Sequence, residues 1–513
     1  MKCNSPVDTQ QAKIPARFHK LYHGKPGSEG FKMEAILHFI GYLNDSIIWG
    51  LPMVVLMLGT GIFLLFVTRG VIFTKFPVVL RYTVKTLFRK PPKSQLEAGA
   101  ITPFQAVCTA LAATVGTGNI VGVALAIATG GPGAVFWLWI SALVGMVIKY
   151  CEVTLSMAYR TINDKGQLVG GPMYYIARGM GSKWLAALFA VFGALAALGI
   201  GASVQANALA GGVNAAFGVP TWVIGAVVAA LGALIFIGGI RRIASVTEYL
   251  IPLMSVLYIV GAVVALVVNI DQIPAAFGQI LHGAFSGSAP VGAFLGATVM
   301  YACRIGMSRG VFTHEAGMGS APIAHASADN DHPARQGLWG AFEVFFDAIV
   351  LCTVTALVIL TSGLWFDPAY AGDTRAMSAT AFENAFAGGR YIVTVGMCLF
   401  AFATIVAWYY YGETCIEYLA KGSKIAKLAY QILYTAMVYV GCVAGLDAVW
   451  AFADLCNGLM AVPNLIALIT LSPVIKGLSQ DFFRDPNRLR PKSEDFSHLI
   501  RVRKQTGTKR ALP

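Results

Sequence analysis

Two apolar segments of the chain are interrupted by glycine, and both interruptions carry polar residues suited to hold a ligand. Residues 112–119 read AATVGTGN, and residues 310–322 read GVFTHEAGMGSAP. A helix that unwinds at such a point leaves free N–H groups at the start of its second half, which favour an anion. It also leaves free carbonyl oxygens at the end of its first half, which suit a small hard cation. A zwitterion bound together with sodium satisfies both ends.

The same runs do not match the motifs of known enzymes. The segment GTGNIVG at 116–122 has the spacing G-x-G-x-x-x-G, and no strand precedes it, so it is not a dinucleotide fingerprint. The pair His314-Glu315 is not a zinc-protease motif, because Met318 stands where the second histidine is required. We find no nucleophile elbow, phosphate-binding loop or metal-ligand spacing. We therefore expect no enzyme and no cofactor, with sodium only as a coupling ion.

Ionisable residues within apolar segments are costly and indicate function. Glu315 and Asp347 lie deepest in such segments and are the strongest candidates. His314 has two open interpretations, since it could titrate in the physiological range or be a neutral, hydrogen-bonded core histidine. Four further acidic residues are better explained by a structural partner such as Lys149 or by a position near a segment end: Glu152, Glu343, Glu413 and Asp454.

Other polar residues point to a ligand pocket, although each alone is more often a packing residue. Gln205 and Asn207 follow a glycine-rich stretch at 199–204, where small side chains leave space. A buried amide of this kind needs partners. Thr404 offers a hydroxyl for sodium, and Trp408 offers an indole that can close a small pocket or face an ammonium group.

The composition determines what kind of fold positions these residues. Only 12 % of the 513 residues are charged, against about 25 % in soluble domains, whereas 57 % are hydrophobic. The chain therefore lacks the polar side chains needed to cover a soluble protein and is predicted to be an all-α integral membrane protein. Its net charge of +13 is concentrated in connecting stretches, which indicates membrane topology rather than nucleic-acid binding. The cysteines form no C-x-x-C pair and read as buried apolar residues.

We predict about eleven membrane spans, since a span needs about 20 apolar residues. Numbered 1 to 11, they are 48–67, 103–128, 133–158, 184–214, 220–237, 246–268, 291–322, 337–362, 391–418, 428–446 and 448–475. Without span 1, ten remain, and they divide into repeat 1 at about 103–268 and repeat 2 at about 291–475. Five spans per repeat give the two repeats opposite orientations, and the first span of each is broken by glycine. Such a pair points to a transporter site at the interface of inverted repeats, although close helix packing is the alternative.

Charge placement predicts the orientation of the chain. Basic residues gather at 69–93, at 159–183, at Arg241 and Arg242, and at 421–427, and such loops are cytoplasmic. Eleven spans then place the N-terminus outside and the C-terminus inside. The expected organisation is a polar N-terminal tail at 1–46, one transmembrane domain at 47–475 and a basic cytoplasmic tail at 476–513. The basic residues of the N-terminal tail do not fit this orientation.

Five motifs, spread in order from about residue 47 to residue 475, resemble the alanine or glycine:cation symporter family. They are TALAATVGTGNI at 109–120, GGPGA at 130–134, GGPMYY at 170–175, EAGMGSAP at 315–322 and YYGE at 410–413. The resemblance implies a leucine-transporter-like 5+5 inverted repeat with one extra N-terminal helix. It also implies a multi-pass, sodium-coupled importer of alanine and glycine in a bacterial or archaeal inner membrane.

The resemblance also implies roles for individual residues. Thr117 and Gly118 are expected to hold the substrate carboxylate, while four residues line and close the pocket: Gln205, Phe312, Thr404 and Trp408. Sodium is expected between the carbonyls of Ala112, Val115 and Ala401 and the Thr404 hydroxyl. Asn119 and Asp347 are candidates for a second ion or for bracing span 2. His314 departs from the family, which usually has asparagine there, so it is a candidate for substrate range and pH behaviour.

We expect alternating access, in which sodium orders the broken span 2, completes the carboxylate site and allows the bundle to rock inward. Three alternatives remain open from the sequence: a proton-coupled carrier that uses Glu315 or His314, a channel, and a membrane-embedded enzyme. The expected partners are a small amino acid, sodium and the lipid bilayer, without nucleic acid. A monomer is plausible.

Overall fold

Helices occupy all eleven predicted spans in the computed structural model, which describes residues 39–48, 50–87, 99–286, 299–367, 370, 374–444, 447–488, 496, 499 and 500. Seven spans are single helices, and the first five of them are Leu51–Val67 (span 1), Gly133–Ala158 (span 3), Thr221–Phe236 (span 5), Gly239–Val268 (span 6) and Gly389–Leu419 (span 9). Lys424–Val443 is span 10, and Asp447–Thr470 is span 11. Residues 291–298, the predicted start of span 7, lie outside the described residues.

The remaining four spans change helix type or break along their length. Spans 4 and 8 contain π-helical stretches and run through Lys183–Ala196, Ala197–Val204 and Gln205–Phe217, and through Pro333–Val344, Phe345–Leu351 and Cys352–Ser362. Span 2 consists of Pro103–Thr114, the π-helical turn Gly118–Gly122 and Val123–Gly130, and span 7 of Val299–His314 and Ala321–His325. Such π-helical stretches frequently mark functional positions.

The fold class predicted from the sequence is confirmed, because the protein is an all-α membrane protein. Among the described residues, six helices are long and apolar enough to cross a membrane alone, and two bent pairs raise this number to eight. Spans 1 and 5 are shorter apolar helices. Spans 2–6 and spans 7–11 form two sets of five, and each set begins with a broken span.

The spans pack around a continuous apolar core. Span 3 packs against spans 7 and 8, span 9 against spans 2, 4 and 6, and span 11 against span 4. The start of span 2 is fixed by a capping box, in which Gln105 N donates to Thr102 Oγ1 at 3.0 Å and Thr102 N donates to Gln105 Oε1 at 3.1 Å. This packing holds the break of span 2 against spans 4 and 9.

Shorter elements connect the spans. The helices are Val71–Thr74, Phe76–Tyr82, Val84–Leu87, Pro172–Tyr175, Ile273–Ser286 and Thr374–Ala385, with π-helical turns at Asn44–Ile48 and Ile176–Met180 and 3₁₀ turns at Ile270–Gln272 and Leu364–Phe366. Strands Thr161–Ile162 and Leu168–Val169 pair as an antiparallel hairpin. Hydropathy did not identify the helices at 273–286 and 374–385, which lie in stretches predicted as connections.

The end of the chain differs from the simple tail expected after residue 475. Span 11 is followed at a 63° bend by an amphipathic helix, Ser472–Arg484, so the predicted boundary lies inside a helix. Val474, Leu478 and Phe482 are buried. The guanidinium of Arg335 lies 5.3 Å from the Phe482 ring centroid and holds this helix beneath span 8. Residues 1–38 of the N-terminal tail and most residues beyond 488 lie outside the described residues.

Candidate functional site

Span 2 unwinds where the glycine run predicted a break. Its first half ends at Thr114, Val115 adopts an extended conformation, and the two halves meet at 51°. The amide of Gly116 donates to Asn119 Oδ1 at 3.0 Å, so the Asn119 side chain satisfies one backbone group that the break frees.

Span 7 is broken at the matching position of the second set. Its first half ends at His314, and Glu315, Gly317 and Gly319 all have positive φ angles, of 51°, 92° and 80°. Left-handed conformations are easy for glycine but strained for glutamate. The backbone of both broken spans is therefore irregular at buried positions, which a membrane protein tolerates only inside protein or around a wet cavity.

Five predicted substrate-site residues come together at the break of span 2. Thr117 Oγ1 donates to Gln205 Oε1 at 3.3 Å. A Cβ placed on Gly116 would lie 3.0 Å from Thr404 Oγ1, and one placed on Gly118 would lie 3.5 Å from the Phe312 ring. Because no side chain fills these glycine positions, residues from spans 4, 7 and 9 reach the backbone of span 2.

Trp408 lies on the same side of span 9, one turn after Thr404. Its Cγ would be 2.7 Å from a Cβ placed on Gly201, and its ring centroid is 5.5 Å from that of Tyr411. Gly201 belongs to the π-helical stretch of span 4, one turn before Gln205. Trp408 thus packs against the π-helical stretch of span 4, next to the predicted pocket. Only 1 % of its surface is exposed.

The structure does not bring His314 into this group. Its Nδ1 accepts the Ala316 amide at 3.1 Å, and its Nε2 lies 3.0 Å from Ser141 Oγ on span 3. Because an amide N–H can only donate, Nδ1 carries no proton, and Nε2–H donates to Ser141. This arrangement matches the neutral, hydrogen-bonded core histidine that the sequence left open.

The predicted sodium ligands lie where spans 2 and 9 approach each other. Ala112, Val115 and Ala401 are fully buried. The Thr404 hydroxyl donates to Phe400 O at 3.0 Å, which leaves its oxygen lone pairs free to face Gly116. Carbonyl oxygens at the end of an unwound half-helix, combined with a hydroxyl, are the kind of donor set that holds sodium in transporters.

Asn119 and Asp347 are in direct contact. Asn119 Nδ2 donates to Asp347 Oδ1 at 2.6 Å, and it also lies 3.4 Å from Cys352 Sγ. Asp347 stands on the π-helical stretch of span 8 and is fully buried. Its second oxygen, Oδ2, has no hydrogen-bond partner among the described residues. An unpartnered carboxylate oxygen fits a cation, so this pair suits a second ion site as well as a brace for span 2.

A second buried polar cluster lies between spans 3, 7, 8 and 11. Lys149 Nζ is 3.4 Å from Glu343 Oε1, and Glu343 Oε2 is 3.1 Å from His325 Nε2. Glu152, for which the sequence suggested Lys149 as a partner, instead accepts Gly317 N at 3.0 Å and Asn464 Nδ2 at 2.5 Å. Asn464 was not predicted from the sequence, although an amide within the apolar span 11 was a usable signal.

The remaining acidic candidates lie elsewhere. Glu413 lines a separate cavity of about 460 Å³ between the hairpin and the adjoining ends of spans 9 and 10, together with Lys165 and Lys427. None of the predicted substrate residues lines it. Asp454 is half-buried on span 11. Among the described residues, no three His, Cys, Asp or Glu side chains are grouped to hold a metal ion.

The fold and the two broken spans define a multi-spanning membrane protein with a buried polar site at its centre. The chain belongs to the sodium:alanine symporter family, whose sequence model matches residues 33–496. A sodium/alanine symporter, AgcS, of Methanococcus maripaludis is 44 % identical over 87 % of this chain and 98 % of its own length. An uncharacterized transporter of Haemophilus influenzae is 43 % identical over 91 % of this chain and 100 % of its own length.

A likeness to solved structures is also found. The substrate-bound, outward-open structure of a Na⁺-coupled sialic acid symporter has a TM-score of 0.47 and 11 % identity, over 81 % of this chain and 86 % of that one.

Proposed function

We propose that this protein is a sodium-coupled importer of small neutral amino acids, alanine and glycine, which works by alternating access around the break of span 2. Thr117 and Gly118 bind the substrate carboxylate, and Gln205, Phe312, Thr404 and Trp408 line and close the pocket. The proposal is supported above all by the approach of Thr404 and Gln205 to Gly116, where no side chain separates them from the unwound backbone.

In the proposed mechanism, sodium binds first at the junction of spans 2 and 9. Its charge is balanced by the carbonyl oxygens of Ala112, Val115 and Ala401 and by the Thr404 hydroxyl. Binding fixes the unwound turn, which aligns the N–H groups at Gly118 for the substrate carboxylate. Substrate and ion therefore stabilise the same conformation of span 2, and this shared preference couples their transport.

Substrate size is limited by bulky side chains in the proposed mechanism. Phe312 approaches Gly118, and Trp408 packs against span 4 next to Gln205. A side chain larger than a methyl group would meet these rings. The expected orientation places the N-terminus outside and the C-terminus in the cytoplasm of a bacterial cell, with repeats at about 103–268 and 291–475.

The test is uptake of radiolabelled alanine and glycine by proteoliposomes under imposed sodium, lithium or proton gradients. We expect concentrative uptake with the sodium gradient and recovery of chemically unchanged substrate. Thr117→Val should abolish uptake because it removes the hydroxyl that contacts Gln205. Thr129→Val is the matched control, since Thr129 is an exposed residue of the same span whose hydroxyl donates only to Leu125 O.

The possible results separate the alternatives. Uptake driven by a proton gradient without sodium would favour the proton-coupled carrier, and uptake that never exceeds equilibrium would favour a channel. Equal loss of uptake in Thr117→Val and Thr129→Val would contradict the proposed substrate site.

A further inference from the structure

Glu315 is a buried acid that the proposed substrate and sodium sites do not use. It follows the last residue of the first half of span 7, and only 5 % of it is exposed. Its φ of 51° is strained for a residue with a side chain, and such strain persists where the surroundings hold the residue in place. Its Oε2 lies 2.5 Å from Ser320 Oγ. A comparison with the neighbouring acids Glu152 and Glu343 indicates which protonation state these surroundings favour.

Glu152 is the nearest comparison, and its partners are a backbone N–H and a side-chain amide. Gly317 N and the Asn464 amide both point at its Oε1, at 3.0 and 2.5 Å. N–H groups can only donate, so they stabilise a carboxylate. Lys149 stands one turn earlier on span 3 and is an electrostatic neighbour of Glu152.

Glu343 is paired with Lys149 and His325. Gln336 Nε2 lies 2.8 Å from His325 Nδ1, and because an amide nitrogen donates, Nδ1 is the acceptor. The Nε2–H of His325 then donates to Glu343 Oε2. The other oxygen of Glu343 faces the Lys149 ammonium at 3.4 Å. Lys149 and Glu343 therefore form a neutral pair.

Glu315 differs from both because its hydrogen-bond partner is a hydroxyl. Ser320 Oγ donates to the Oε2 of an ionised Glu315, and because a hydroxyl accepts as readily as it donates, a protonated Glu315 can donate Oε2–H to Ser320 at the same distance. The indole Nε1–H of Trp408 approaches the same carboxyl without completing a hydrogen bond with good geometry. The surroundings of Glu315 thus accommodate a neutral acid.

Charge balance leads to the same assignment. Among the described residues, Lys149 is the buried cation that acts on Glu152, Glu315 and Glu343, and it is already paired with Glu343. An unpaired charge buried in protein costs far more than protonation of the group. The other titratable groups that face Glu315 or Glu152 are Asp347, Tyr175, Tyr411, Cys151 and the neighbouring neutral His314. None of them adds a positive charge.

We infer that Glu315 is a proton-binding site, separate from the substrate and sodium sites, at the break of span 7. It takes a proton from water to form a carboxylic acid O–H group, which donates to Ser320, and it returns the proton to water when the break opens. Because Trp408 touches this carboxyl and closes the proposed pocket, gain or loss of the proton acts on the substrate site. Proton binding at Glu315 goes beyond sodium-coupled import, and only its effect on the substrate site rests on the proposed function.

The direct test is the infrared absorption of the purified full-length protein, recorded as a difference between pH values. We expect a C=O band of a protonated carboxyl at neutral pH, which decreases as the pH rises. Glu315→Gln should remove this band, whereas Glu152→Gln, Asp347→Asn and His314→Asn should keep it. A band that persists unchanged in Glu315→Gln, or the lack of any such band in the native protein, would overturn the inference.

Two further variants keep the inference testable if the Glu315→Gln variant fails to fold. Ser320→Ala keeps the carboxyl but removes its partner, so the band should remain and move to the frequency of a free C=O group. An unmoved band would contradict the assigned hydrogen bond. Glu315→Asp keeps a carboxyl at the same position and should retain a band, and its loss would also count against the assignment.

Uptake provides a functional readout. Native uptake should fall at alkaline pH, and Glu315→Gln, which mimics the neutral acid, should flatten that fall. An identical alkaline decrease in both proteins would contradict a role for the proton in transport. The infrared result needs no transport, so failure of the proposed sodium-coupled import would leave it interpretable.

Discussion

Asn119 Nδ2 donates to Asp347 Oδ1 at 2.6 Å and thereby joins the unwound turn of span 2 to the π-helical stretch of span 8. The same asparagine accepts the Gly116 amide through Oδ1. One side chain thus connects the backbone at the proposed substrate site to a buried carboxyl whose second oxygen has no partner among the described residues. The pair therefore links the conformation of span 2 to the charge state of the Asp347 carboxyl.

Asp347→Asn tests whether that charge holds a cation. The substitution keeps the size of the side chain and removes the charge, so we expect the sodium concentration for half-maximal uptake to rise about tenfold or more, equivalent to a loss of roughly 1.4 kcal/mol. Sodium dependence of alanine uptake is the measurement. Asp271→Asn, at an exposed position, is the control. An unchanged sodium dependence would leave Asp347 as a brace for span 2 alone.

Thr404→Val tests the hydroxyl at the proposed sodium site on span 9. Valine has nearly the same shape but no oxygen to face Gly116, so the half-maximal sodium concentration should rise about tenfold, while Thr404→Ser should stay near the native value. Thr394 makes the same hydrogen bond, to the carbonyl four residues earlier, at a half-buried position of the same helix where the bond is exposed. Thr394→Val should therefore leave uptake unchanged. Equal effects of valine and serine at position 404 would argue against a sodium ligand.

Part of this architecture could be predicted from the sequence, since hydropathy locates the eleven spans and the run GTGN marks the break of span 2. Side-chain pairings between different spans could not be predicted from the sequence. Lys149 stands one turn before Glu152 on span 3, yet it pairs with Glu343 of span 8, while Glu152 turns to Gly317. The contacts of His314 could not be predicted either. The helical period decides which side of a helix a residue faces, and this period does not continue through a break.

The surface elements were missed for another reason. The helix Ser472–Arg484 is amphipathic, with buried residues such as Leu478 and Phe482 on one side only. A search for long apolar runs cannot separate such a helix from a polar tail. It is stabilised by tertiary contacts that no local pattern records, including the Tyr82 ring, whose centroid lies 6.2 Å from that of Phe482.

Trp408→Ala tests whether this ring limits the size of the substrate. Removing the indole should open space beside Gln205, so that leucine inhibits uptake of radiolabelled alanine in the variant but not in the native protein. The truncation of a buried tryptophan costs about 3–5 kcal/mol, so Trp408→Leu is a milder second variant. Trp365→Ala removes another buried indole, outside the proposed pocket, and should not admit leucine. Competition by leucine that stays absent in both position-408 variants would exclude Trp408 as the size limit.

Gly317→Ala tests the irregular backbone of span 7 separately from its side chains. The φ of Gly317 is 92°, and a Cβ there would meet its nearest neighbour, Leu465, at an ordinary contact distance of 3.4 Å. The expected cost is therefore backbone strain alone, about 1–2 kcal/mol, and it should lower the thermal unfolding midpoint of the purified protein. Gly59→Ala, at an open position within span 1, is the matched control and should cause no loss. If both variants unfold at the native temperature, Gly317 does not require the left-handed conformation.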